Sequence, residues 1–577
     1  MISQYYRREL ERLRQLGAEF ARAHPAFAPM LSAEGTDPDV ERLLEGVAFL
    51  TGLVHEKLDD ELPEVLYTML QSIAPHYLRP IPAMTMIAFS PKRALREGIV
   101  IARGTTINSI PVDDTVCPFS ICRDVVLVPM RISAAVFQEE GKRAGVLRIT
   151  FVLTDMLLSA LPDNSIHLSL MGDHANAAKL FMALEQGLRE IRLVPAAEDG
   201  ESVRLPREHF IPGGLDAGEA LLTYPPAAFG GFRHLQEYFI LPERFCAFSI
   251  SGLDRWRNRG AGDTFTLELA LADLPDALPS VDVNSFRLFV TPAVNLSSCS
   301  SEPIALDHRR PAYLVSPSGR NSERYWTHSV EGVHSIVQGT SERREYHHFL
   351  SANPSSEVGL AYSVSPRLSP LSGNVEQWIS VSHPPKTSLV PEVLLVDITC
   401  SNGNLPERLK TGDINQPSST SPELADFANL SPPTAAVQPP MGSGVLWRLL
   451  SHQFLNLFSI ANAENLRSIL RLYVFGDTHD RAGVLANLKR VESILDVQVE
   501  QGRHFVQDHM MRGQHIRIVL QHEGFAGEGD MYLFGSVLNR FLSGYAALNT
   551  YTRLQVSDDL NRRLYQWTAR LGSRPLL

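Results

Sequence analysis

Between Asp37 and Pro82 the spacing of apolar and polar positions predicts two helices with a sharp corner. Asp37 can accept from the first free N–H groups, Pro38 sits at the first helical position where no donor is needed, and Asp39 suits the positive helix end. Apolar residues then recur at Val40, Leu43, Val47, Leu50 and Val54, one stripe along a helix ending near Asp60. At 1.5 Å per residue such a rod is roughly 34 Å long. Pro63 opens a second helix with Val65, Leu66, Met69, Leu70 and Ile73 on one side, and Pro75, Pro80 and Pro82 forbid its continuation. Burying the stripe would contribute on the order of 10 kcal/mol gross, more than one short hairpin can realise alone. An internal core and a surface facing another chain both account for it. The acidic corner Asp59, Asp60 and Glu61 reads as a solvated turn or as a docking point for basic partner residues.

The remaining pattern predicts an α+β, multidomain chain. Residues 3–23 form a helix with Tyr6, Leu10, Leu13, Leu16 and Phe20 on one side and charged residues around the rest. Beyond Pro82 the period changes. Met84 to Phe89, Ile99 to Ile101, Val125 to Val128, Leu147 to Leu153 and Ile166 to Leu170 read as strands, interrupted by a helix over about 175–186. The strand texture continues through EYFILPERFCAFSI, TFTLELAL, SFRLFV, QWISVS and VLLVDITC. Residues 411–444 carry six prolines and no periodicity, which predicts an extended linker or surface crossing. After it come apolar faces at Trp447, Leu450, Phe454 and Phe458 and at Leu466, Ile469, Leu470 and Tyr473, strands at 494–499 and 516–520, a helix at 531–548 and a strand at 551–556. The expected organisation is 1–82 helical, 83–235 and 236–410 β-rich, 411–444 a linker and 445–577 an α+β domain.

At 577 residues the chain exceeds one core, and 44% hydrophobic with 20% charged residues is a globular balance. The net charge of -11 opposes general nucleic-acid binding, which requires concentrated positive charge. The start, MISQYYRRELERL, has no apolar signal core, and no long uncharged apolar run occurs, so a soluble protein without membrane insertion is expected. Five scattered cysteines fit a reducing compartment.

Candidate chemistry is sparse. GDTHDRAG at 476–483 looks like a fragment of a metallophosphoesterase signature, with Asp477, His479 and Asp480, but the other ligand loops of those enzymes are missing and a polar turn explains the same residues. His504, His509, His515 and His522 match no common zinc spacing. GFAGEGD at 524–530 invites a phosphate-cradle reading, yet Glu528 and Asp530 would repel phosphate, and Asp530 reads better as an N-cap for a helix beginning at Met531. A carbohydrate-binding sheet would need clustered exposed aromatics, whereas the five tryptophans are scattered. Neither catalytic residues, metal ligands nor cofactor sites emerge.

Several segments nevertheless carry a likeness: YYRRELERLRQLGAEFARAHP at 5–25, DPDVERLLEGVAFL at 37–50, KLDDELPE at 57–64 and PHYLRPIP at 75–82. They continue with GGFRHLQEYFILPERFCAFSISGL at 230–253, WRLLSHQFLNL at 447–457, LRSILRLYVF at 466–475, FAGEGDMYLFGSVLNRFLSGYAALNTYTRL at 525–554 and the ending Trp567 to Leu577. In this order they make the chain resemble the TssF family, also called ImpG or VasA, of bacterial type VI secretion baseplates. The likeness is weakest over about 255–445. The resemblance implies a non-enzymatic subunit, similar to contractile phage baseplate wedge proteins. It would pair as two copies with one TssG, join TssK and TssE, and assemble around the VgrG spike hub in the cytoplasm beneath the membrane complex. On that expectation the candidate partner-interface residues are Val40, Leu43, Val47, Leu50, Val54, Asp59, Asp60 and Glu61.

Overall fold

In the computed structural model, described residues are 2–23, 38–59, 67–71, 74–141, 143–224, 231–275, 278–319, 324–339, 342–349, 359–369, 372–383, 391–441, 443–453, 460, 462–475, 480–506 and 509–572. The chain divides into two compact units, residues 1–69 with 441–448, and residues 70–440 with 449–577. The helix opening at Pro63 lies partly outside the described residues; residues 67–71 are helical.

The smaller unit is built on α1 (Ile2–Ala23) and α2 (Pro38–Asp59), which pack on each other. α2 begins at its proline, as the fixed φ of that residue favours.

The larger unit is mostly sheet. One five-stranded sheet runs in the order Ala425–Asn429, Met84–Pro91, Val290–Val294, Pro118–Ile121, Thr106–Asn108. A second runs Val203–Pro206, Leu188–Pro195, Thr264–Leu271, Gly145–Leu153, Met130–Glu139. There TFTLELAL and GVLRITFVL alternate buried and half-buried positions in register. Phe151 stacks on Phe265 at 4.9 Å on the inner face, while Arg148 meets Glu268 at 2.8 Å on the outer. A four-stranded sheet joins Phe210–Pro212, Ala247–Ile250, Ile166–Leu170 and Phe286–Leu288. A boundary at residue 235 would cut this sheet and the previous one, because strands from both sides of it are hydrogen-bonded neighbours.

An eight-stranded sheet takes Ser297–Ser300, Ile304–Leu306, Tyr313–Leu314, Trp326–Val337, Arg343–His348, Ala361–Leu368, Val375–Ser382 and Glu392–Ser401. Inside it the buried Glu392 accepts from Arg344 at 2.9 Å, from Tyr346 at 3.1 Å and from Ser335, the partners that a carboxylate removed from water requires.

Three expectations change. EYFILPERFCAFSI, read as strand, is mostly the helix Gly231–Ile240 and a short 3-10 turn Pro242–Phe245, with only Ala247–Ile250 extended. Its β-type aromatic composition misleads, since its Tyr238 and Phe239 continue the helical spacing of the buried Phe232 and Leu235 just before it. SFRLFV is split by Phe289, whose φ of 56° leaves the strand region. The Pro-rich 411–444 segment is extended but is no free linker: Ala425–Asn429 pairs with Met84–Pro91, Val437 bridges Ile81, and Ile414 is fully buried.

Further helices among the described residues are α3 (His174–Gly187), α4 (Gly231–Ile240), α5 (Ser443–Gln453), α6 (Ala463–Arg471), α7 (Arg481–Glu492) and α8 (Glu528–Ser543). α3 ends at Gly187, where a Cβ would lie 2.7 Å from the Ala272 carbonyl oxygen, so the close approach of the chains favours glycine. A last sheet holds Ile494–Val506, His509–Leu520, Tyr551–Asp558, Leu564–Gln566 and Arg570–Leu571, with α8 crossing between the parallel strands His509–Leu520 and Tyr551–Asp558.

Candidate functional site

The predicted stripe of α2 turns out to flank the packed face instead of being it. Ala48 and Gly52 are buried and Val40 and Leu44 half-buried, an i, i+4 ridge whose small members allow close helix approach. Leu43, Val47 and Leu50 lie beside it and are 69%, 44% and 63% exposed. Phe49 on α2, Leu16 and Phe20 on α1 and Trp447 on α5 are exposed as well. Val54 and Asp59 fall on the last turns of α2, where side chains lie outside the described residues, as do Asp60 and Glu61 altogether. Sequence spacing thus found the apolar side of α2 but not the offset ridge, whose signal is the small pair Ala48 and Gly52.

Within the larger unit, the glycine-rich run before α8 is explained by packing. The helix starts at Glu528, so Asp530 is not its N-cap; that position falls to Gly527, without a side-chain cap. Asp530 instead turns inward, 1% exposed. It accepts from His174 Nε2 at 2.9 Å, Arg490 Nε at 3.0 Å, Tyr238 OH at 3.4 Å and the Ala526 N–H at 3.1 Å. One carboxylate thereby ties α3, α4, α7 and α8 together. Burial alone would push its pKa up, but the His174 hydrogen bond and the Arg490 charge outweigh burial and hold it down at about 2. A Cβ on Gly529 would collide with the α3 backbone at Ala178 and Lys179. Gly529→Ala is therefore expected to destabilise by about 1–3 kcal/mol through overpacking. A thermal-unfolding midpoint equal to that of wild type would disprove the contact's importance. Glu528 pairs with Arg563 at 2.7 Å.

Two other motif segments have comparable structural duties. Glu237 on α4, fully buried, receives the Leu221 N–H at 2.8 Å and the guanidinium of Arg244, and Arg244 also donates to the carbonyls of Glu219 at 2.8 Å and Gly214 at 3.2 Å. This network clamps the 214–221 loop onto α4. In PHYLRPIP, His76 stacks on Tyr224 at 4.2 Å and Tyr77 meets Tyr473 edge-on at 5.1 Å. Burial, aided by the Arg79 charge, lowers the His76 pKa to about 3, so this imidazole is neutral at physiological pH.

Of GDTHDRAG, residues 476–479 lie outside the described residues, and Asp480 N-caps α7 by accepting from the Gly483 N–H at 2.9 Å. His515 bonds the Tyr551 hydroxyl at 2.9 Å and His522 the Asp558 carboxylate at 3.0 Å, while the His504 and His509 side chains lie outside the described residues. Among the described residues no group of His, Cys, Asp and Glu is arranged to hold a metal ion, and no helix is long and apolar enough to cross a membrane.

Comparison with known proteins covers the whole chain. The family described as type VI secretion system, TssF, matches residues 1–574. The type VI secretion system component TssF1 of Pseudomonas aeruginosa is 29% identical over 634 aligned residues, covering 100% of this chain and 99% of that protein. A chain in the cryo-electron microscopy structure of the type VI secretion TssK-TssF-TssG baseplate subcomplex superposes with a TM-score of 0.74 at 27% identity, covering 92% of this chain and 99% of that one. A chain in a structure of the baseplate complex from the type VI secretion system gives a TM-score of 0.64 at 26% identity over 100% of both.

Proposed function

Since the chain belongs to the TssF family of type VI secretion systems, a baseplate component, we propose that it builds a baseplate wedge by contact with TssG-like and TssK-like subunits and performs no catalysis. The observation carrying this reading is its full-length likeness to a chain solved within a TssK-TssF-TssG subcomplex. The finer assembly, with a second copy of itself, a TssE-like protein and a VgrG spike hub in the cytoplasm beneath the membrane complex, follows from the family resemblance. Wedge assembly anchors the contractile sheath and tube for effector delivery.

The partner-facing surface of this reading includes Val40, Leu43, Val47, Leu50 and Val54, with Asp59, Asp60 and Glu61 at the stripe's end. Support comes from the exposure of Leu43, Val47 and Leu50, since a large aliphatic side chain gains about 1.5–3 kcal/mol when fully covered. Leu43→Asp with Leu50→Asp is expected to abolish co-purification with the co-expressed TssG-like subunit, while circular dichroism stays unchanged because both residues are exposed. Retained co-purification would remove this face from the assembly.

A further inference from the structure

The strands Ile494–Val506 and His509–Leu520 stay paired to Val506↔His509, but the third strand, Tyr551–Asp558, follows only as far as Gly513. A side chain at Gly513 would collide with the Tyr551 ring, and one at Gly502 with the His515 ring, so the glycine pair marks where a two-stranded arm leaves the sheet. Cross-strand pairs alternate faces along it. On one face Val497/Ile518 and Val499/Ile516 serve the core, and the same face continues outward as Gln501/Gln514 and Arg503/Arg512. Arg503 and Arg512 stand directly opposite each other, both exposed, and neither makes a hydrogen bond or ion pair among the described residues. Directly opposed like charges are about 5 Å apart at Cβ and repel. Met510 beyond them is 59% exposed, and Ile494–Val506 is the edge strand of the sheet, with no strand paired to its outer side among the described residues.

We propose that this arm docks an acidic polypeptide strand from a partner protein, added along the Ile494–Val506 edge with its carboxylates received by Arg503 and Arg512. A carboxylate on this face relieves the repulsion of both guanidiniums at once, and the free edge supplies main-chain donors and acceptors. Nucleic acid is the poorer occupant, because two guanidiniums on a chain of net charge -11 offer too short a basic track for a phosphate backbone. The inference rests on register, charge and exposure, and is independent of the assembly reading.

The test uses the full chain and a labelled alternating glutamate–valine peptide of about ten residues, one carboxylate face in strand form. Fluorescence anisotropy is expected to show binding that weakens with salt, and the double variant Arg503→Gln, Arg512→Gln to bind about tenfold more weakly. The variant's melting temperature is expected to hold or rise, since a like-charge pair has been removed. Undiminished affinity in the variant overturns the proposal. So does a marked drop in its melting temperature, which would give the arginines an internal role, or equal binding of a single-stranded oligonucleotide of the same charge.

Discussion

Asp530→Ala is expected to destabilise the larger unit by about 3–5 kcal/mol, the loss typical of removing one partner from a buried ion pair. The substitution leaves Arg490, itself buried, without its carboxylate and removes the acceptor used by His174 and Tyr238. Urea unfolding followed by near-ultraviolet circular dichroism reads this directly, and a loss below about 1 kcal/mol would contradict the buried-pair account. The same carboxylate makes a pH prediction. Its folded pKa of about 2 lies below the ordinary 3.8, so its contribution is complete above the ordinary value and disappears as pH falls from about 4 towards 2. The contribution at stake is about 2 kcal/mol. Asp530→Asn, which cannot titrate, is expected to show a shallower loss of stability across that window than wild type; identical slopes would mean that another group carries it.

Phe541→Ala is the second large effect. The ring is fully buried on α8 and sits 5.3 Å from Phe232 of α4 and 5.4 Å from Tyr545. Phe232 in turn stacks on Tyr473 at 5.1 Å, so the cavity would open within a group of aromatic rings. The expected cost is about 3–5 kcal/mol. An unfolding midpoint unchanged from wild type would show that α8 does not depend on this contact. Phe232 is on α4, whose second half from Glu237 reads as strand by composition, so the helix-to-helix character of the junction is a product of the fold.

Local signals in this chain were legible where one neighbourhood suffices. The Asp37-Pro38-Asp39 start placed α2 to the residue, and the composition of TFTLELAL identified a strand, whose buried face the structure supplied. Legibility failed where a distant group chose between local options. Glu237 would be costly in a buried helix without Arg244 and the 214–221 loop, and residues 411–444 show no periodicity because they form no regular element of their own except Ala425–Asn429, which is held by pairing with the distant strand Met84–Pro91. The candidate interface shows the same division: Leu43, Val47 and Leu50 were identifiable as apolar positions, but their exposure depended on tertiary packing covering the side of α2 that holds Ala48 and Gly52.

The run at 524–530 separates the two contributions most clearly. Glycines and acids before an apolar helix are enough, read locally, to predict a helix start and to argue against phosphate. What Asp530 does there was decided by tertiary structure alone, since its partner His174 is 356 residues away and Tyr238 is 292 away. Periodicity and capping act over one or two turns and so are written in the local sequence. Which side chain satisfies a buried charge, and which apolar face stays uncovered, depends on elements that only long-range folding brings together.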